Sequence, residues 1–200
     1  MGIIHADPVP QFADNPWLRS PGQYASDHVG VSCQQLGEII LDAPATDITF
    51  ANIPQTYRSL CIDIMGAGDI AATTIGLDVQ FNGDTAANYE YGQIKNIGSS
   101  AVGGEQRAQT AILVGTLAAA TATANDTGCH KIWVPGYAMT VWNKITLSQG
   151  VLRWAANTNT LTTGVVGGVW RSTAAITDIK LFPLSGNFVA GSFATLWGFV

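Results

Sequence analysis

Proton transfer, nucleophilic attack or metal binding in this 200-residue chain would have to come from few side chains. They are three histidines, three cysteines, three glutamates and eleven aspartates. The histidines are His5, His28 and His130, and none has a second histidine at metal-ligand spacing. Cys129 and His130 are adjacent, but neighbours in a strand point to opposite faces, which disfavours a nucleophile–base pair. His130 alone names no mechanism and reads as a surface or capping residue at a strand start. With only Glu38, Glu90 and Glu105 as glutamates, a glycosidase pair would have to draw on the aspartates. Most of those read as turn formers: Asp69, Asp84 and Asp126 each sit beside Gly or Asn. Asp84 with Asn82 and Asn88 could offer oxygens to calcium, but so few ligands make a weak site. No G-x-S-x-G elbow, P-loop or G-x-G-x-x-G occurs. The expectation is a protein that is not an enzyme, with no catalytic, cofactor-binding or metal-binding residues.

The cysteines, Cys33, Cys61 and Cys129, are odd in number and widely spaced, against both a disulfide framework and a zinc site. They read as buried free thiols of a chain made in a reducing cytosol. The start, MGIIHADPVPQF, has no basic region followed by an apolar one, so no secretory signal is expected. No run of eighteen apolar residues predicts a membrane span. The net charge is −5 and lacks a Lys/Arg cluster, against a nucleic-acid surface. Apolar residues are 47% of the chain, ample for a core, while charged residues are 12%, about half the usual share. So little charge leaves apolar surface poorly defended and points to a chain that hides surface in an assembly.

The elements that must position these residues begin with an arm. Residues 1–33 hold Pro8, Pro10, Pro16 and Pro21 and show no period, which predicts an extended segment. It nevertheless carries Phe12, Trp17, Leu18 and Tyr24, which a solvated linker would not need. These are candidate partner-binding residues, whether the arm folds back on its own domain or docks on a neighbour.

Residues 34–200 read as strand after strand. Ile75, Leu77, Val79 and Phe81 alternate with Gly76, Asp78 and Gln80, the cleanest half-buried strand in the chain. Leu60, Ile62 and Ile64 likewise oppose Cys61 and Asp63. Tyr89–Ile97 reads as a polar strand and Gly98–Gly104 as a flexible loop. Tyr137–Ser148 reads as the longest run, with Met139, Val141, Ile145 and Leu147 on the core face. Trp142 then shares the outward face with Thr140, Lys144 and Thr146, a candidate interface residue. Near the end, Thr177, Ile179 and Leu181 alternate, turn residues follow, and Phe193, Thr195, Trp197 and Phe199 share a face of another run. Those two runs either pair as a wide hairpin or part into two sheets. About nine or ten short strands, punctuated by turns and with no amphipathic helix, predict an all-β, jelly-roll-like β-sandwich with an extended N-terminal arm. A small barrel is the runner-up.

Six tryptophans are many for this length. Trp133, Trp142, Trp154, Trp170 and Trp197 are all expected in strands. Aromatic side chains on a sheet can stack on sugars, so a glycan-binding module using Trp142, Tyr89 or Tyr91 has to be weighed against core and interface packing.

Several stretches carry a resemblance. They are Asp47-Ile48-Thr49-Phe50 with Asn52-Ile53-Pro54-Gln55-Thr56-Tyr57, and Phe81-Asn82-Gly83-Asp84 with Asn88-Tyr89. Then come Ala175-Ile176-Thr177-Asp178-Ile179, Gly186-Asn187-Phe188, Gly191-Ser192 and Leu196-Trp197-Gly198. In this order they resemble a structural domain of tailed-bacteriophage virion proteins, with Trp197 where a tyrosine is usual. The match spans about residues 36–199 and leaves the arm outside. The resemblance implies a non-enzymatic virion part: a capsid decoration (cement) protein, a head fibre or a tail fibre. It further implies a protein made in the host cytoplasm, homotrimeric or otherwise multimeric, that binds the major capsid protein or tail components.

Overall fold

The computed structural model describes residues 33–154 and 160–200. The chain divides into two units after Cys33, and the second, Gln34–Val200, holds the folded body. Among the described residues there are strands and no helix. The strands are β1 (Cys33–Ile40), β2 (Ile48–Phe50), β3 (Ser59–Gly66), β4 (Thr74–Phe81), β5 (Tyr89–Ile97) and β6 (Ser100–Gln109). They continue with β7 (Ile112–Ala118), β8 (Gly128–Pro135), β9 (Lys144–Trp154), β10 (Thr160–Trp170), β11 (Ile179–Pro183) and β12 (Phe193–Phe199).

They form two antiparallel sheets packed as a sandwich, not a closed barrel. The large sheet runs β1-β12-β3-β8-β9-β10-β5-β6 and the small one β2-β11-β4-β7. The two last strands do part company: β11 lies between β2 and β4, while β12 pairs with β3. Alternation decides which faces meet. Leu60, Ile62 and Ile64 of β3 and Leu77, Val79 and Phe81 of β4 enter one core completed by Ile132, Val134, Ile179, Leu181 and Leu196. Each of these is almost wholly removed from water, and area burial on this scale is the main force holding the layers together.

Two sequence expectations are corrected. Gly98–Gly104 is not a loop. Gly98 and Ser99 alone make a two-residue turn, with Gly98 at φ 59°, and β6 follows at once. A positive φ at the first central position is what a tight type II′ hairpin turn requires and glycine supplies. The strand SAVGGEQRAQ shows no alternation because water lies on both its faces.

The second correction concerns Tyr137–Ser148. Residues 137–143 are turn and bend, and β9 starts only at Lys144. Within β9 the parity is the reverse of the expected one: Lys144, Thr146 and Ser148 are buried, while Ile145 and Leu147 face water. The cause lies in the small sheet. β7 is its edge strand and stands over β9, with main-chain groups that no strand pairs. Ser148 Oγ donates to the Val114 carbonyl, and His130 Nε2 meets the main chain of Thr116. Buried main-chain polar groups must be satisfied, and here polar side chains of the facing sheet do it. Apolar side chains on that face would have left the edge of β7 bare.

Candidate interaction surface

His130 is therefore a core residue, not a surface or capping one. Its Nε2 lies 2.8 Å from the Thr116 oxygen and 3.2 Å from the Thr116 nitrogen. The ring fits because its neighbours lack side chains: a Cβ at Gly150 would come within 1.9 Å of it, and one at Gly115 within 2.3 Å. Burial pushes the His130 pKa down, and the Thr116 contact opposes this only in part. Cys129, next in sequence, projects from the opposite face and is exposed, so the two share no site. The thiols differ from the uniform burial expected: Cys61 is buried, Cys33 half-buried and Cys129 exposed, all free. Two of the glutamates are taken up in ion pairs. Glu90 meets Arg171 at 3.5 Å, Glu105 meets Arg107 at 3.1 Å, and Glu38 lies on β1.

The motif residues converge on the ends of the sandwich, where each has a structural task. Asn82 takes φ 52° in the turn after β4. Its Oδ1 accepts from the amides of Thr177 (2.8 Å) and Asp178 (3.1 Å), while its Nδ2 donates to Ala175 O (2.8 Å). Asp84 accepts from Trp170 Nε1 at 2.7 Å, Asn88 Nδ2 at 3.0 Å and the Ala86 amide at 2.9 Å. Those bonds hold its carboxyl below the usual carboxylate range. Its oxygens face N–H donors, so the loop is not arranged for calcium. Gln55 ties the Asn52–Gln55 turn to the same segment, donating to Ile53 O and Ile176 O. At the other end Asp69 accepts from the amide and side chain of Asn187, both at 2.8 Å. Gly198 is held tightly: a Cβ there would come within 2.6 Å of the Tyr57 ring. The recurring residues thus build the scaffold.

What remains open is the outer face of the large sheet. Its register rows read Cys61–Trp133–Leu147–Gly167, Asp63–Lys131–Gln149–Val165 and Met65–Cys129–Val151–Thr163 across β3, β8, β9 and β10. Leu147 is 55% exposed and Ile94, beside Val165 on β5, 72%. A shallow trough of about 850 Å³ runs over Ile94, Val151 and Val165. The central rows carry one ion pair, Lys131–Asp63 at 2.8 Å. Contiguous apolar surface of this kind marks contact sites.

Trp142 is 68% exposed, as expected, but from a bend before β9 and not from a strand face. Met139 and Val141 are exposed beside it in sequence. The bend is anchored from within: Lys144 Nζ, buried, donates to Trp142 O (3.0 Å) and Thr173 O (3.1 Å). Sequence reasoning placed Lys144 outside; its signal was faint, a lysine flanked by loop carbonyls. Tyr89 is no sugar platform, being buried and stacked on Trp170 at 6.2 Å. Trp133 is half-buried and packs edge-on against Phe199 at 4.7 Å. Phe12, Trp17, Leu18 and Tyr24 lie outside the described residues, as does the side chain of Trp154.

Comparisons with protein-family models, with curated proteins and with solved structures found no match to this chain.

Proposed function

We propose that this chain is a non-enzymatic structural protein of a tailed-phage virion, a capsid decoration or head-fibre protein that self-associates and attaches through its N-terminal arm to the major capsid protein. The observation that carries this reading is the bare apolar outer face of the large sheet, set in a chain with little charge of its own. A protein that ends its life inside an assembly can leave such a face undefended. The motif resemblance supplies the virion setting, and the threefold order rests on it alone. The motif residues serve turns and strand ends here, which suits a building block. Mass spectrometry of particles purified from the host carrying the gene tests the reading. The chain is expected as a component at fixed stoichiometry, and truncation of residues 1–32 is expected to remove it. Particles that never contain it overturn the proposal.

Exposed Trp142, with Met139 and Val141 on the same rigid bend, favours one second reading, a tail-fibre or receptor-recognition module that contacts glycan. Glycan-array binding that is lost in Trp142→Ala, together with absence from capsids, would favour it.

A further inference from the structure

We propose that β6 is a self-association edge: it pairs antiparallel with β6 of a second copy of this chain across a twofold axis at Gln106. β6 closes the large sheet and bonds only β5 within it. Ser100–Ala108 are exposed on both faces, and no proline interrupts the strand. A free edge of this length is a template for another strand; proteins that must stay single blunt it with prolines, charges or bulges, and β6 has no proline and a single bulge, past Gln106. In a two-residue hairpin the flanking pair, here Ile97 and Ser100, exchanges main-chain bonds. From Ser100 to Gln106 the even-numbered residues of β6 therefore bond β5, and Ala101, Gly103 and Glu105 turn their N–H and C=O to the open edge; beyond Gln106 one extra residue shifts the register to Tyr89–Gln109.

Charge chooses the occupant and the register. β6 holds one acid and one base, Glu105 and Arg107, both largely exposed and 3.1 Å apart. A (−,+) pair two residues apart is complementary to its own reversed copy. A twofold at Gln106 sets Glu105 opposite Arg107 of the second copy, and the reverse, closing a ring of four alternating charges. A twofold at Glu105 or at Arg107 would set like charges face to face, which destabilises a strand pair. The same register puts Ala108, at φ 51°, against Gly104 of the second copy, where even an added Cβ would meet nothing within 4 Å. The strand's one distortion thus meets its least obstructed residue. The contact is isologous and closes on itself.

The proposal is independent of the virion reading, and a chain absent from virions leaves it standing. Sedimentation equilibrium on the full chain tests it. The wild type is expected to dimerise reversibly. E105R and R107E should each weaken dimerisation about tenfold or more, and E105R/R107E should restore it. Because both positions are exposed, melting of the three variants should match wild type, which separates lost association from lost folding. Gly103→Pro, which removes an edge-facing N–H on a strand edge where proline is admitted, should also weaken the dimer. A chain that stays monomeric at high concentration, an assembly indifferent to the single swaps, or a double swap that fails to recover overturns the proposal.

Discussion

His130 and Thr116 join the two layers of the sandwich through a single imidazole nitrogen, 2.8 Å from the Thr116 carbonyl oxygen. This contact closes part of the free edge of β7, while the burial of the ring disfavours its charged form. Burial lowers the His130 pKa, so the unfolded chain takes up the proton first as pH falls. The histidine's contribution is therefore complete above the unfolded value of about 6.5 and erodes below it. His130→Gln should be less stable than wild type at pH 7.5, and the gap should narrow by pH 5. Denaturant unfolding at both pH values checks this; a gap that is constant with pH would refute it.

Asp78 works in the opposite sense. It is buried on β4, its Oδ1 has no hydrogen-bond partner among the described residues, and burial raises its pKa to about 6. A folded value above the unfolded one means the charged form strains the fold at neutral pH, and stability is gained as pH falls from about 6 towards 4. Asp78→Asn should stabilise the protein at pH 7 by up to ~3 kcal/mol and have little effect at pH 4. Melting at the two pH values reads the difference, and equal effects would rule out the charge as the cause.

Asn82 gives an ordering of variants. Its side chain bonds three main-chain groups, and its backbone sits at φ 52°. Asn82→Gly loses the bonds but keeps the permitted backbone, at a cost on the order of 2–3 kcal/mol. Asn82→Ala should cost about 1 kcal/mol more, since alanine resists that φ. Chemical denaturation ranks them, and alanine matching glycine would contradict the strain argument.

The inverted parity of β9 is testable on neighbouring residues. Leu147→Ser should change stability by no more than about 0.5 kcal/mol, because Leu147 is mostly in water. Ser148→Val, a gain in hydrophobicity, should cost about 1–3 kcal/mol by leaving the Val114 carbonyl unmet. The reverse ranking would show that alternation by hydrophobicity had been the better guide.

Much of the fold was legible because the core-facing residues of β3 and β4 leave a period-2 trace, although the alternate residues Asp78 and Gln80, expected to face outward, are buried as well. The trace misled where polar residues were needed inside. Ser148 lies inward to serve β7 and Lys144 to anchor the Trp142 bend, and nothing local in the sequence announces an unpaired edge above them. It vanished at β6, where neither face is buried and any residue of suitable shape is tolerated. Of the candidate surface, the exposure of Trp142 was foreseen. The apolar outer rows were not, because Ile145 and Leu147 were assigned to the core.

The separation of β11 and β12 into different layers bears on how the molecule is made. β2 and β4 gain their shared neighbour only with Ile179–Pro183, and β3 gains one of its two only with Phe193–Phe199. Hairpin β5–β6, the run β3–β8–β9–β10 and the pair β4–β7 can form earlier, but the small layer cannot join β2 to β4 until β11 exists. β2 and one edge of β3 therefore wait longest for their mates, and such distant pairing makes the last step of closing the sandwich slow.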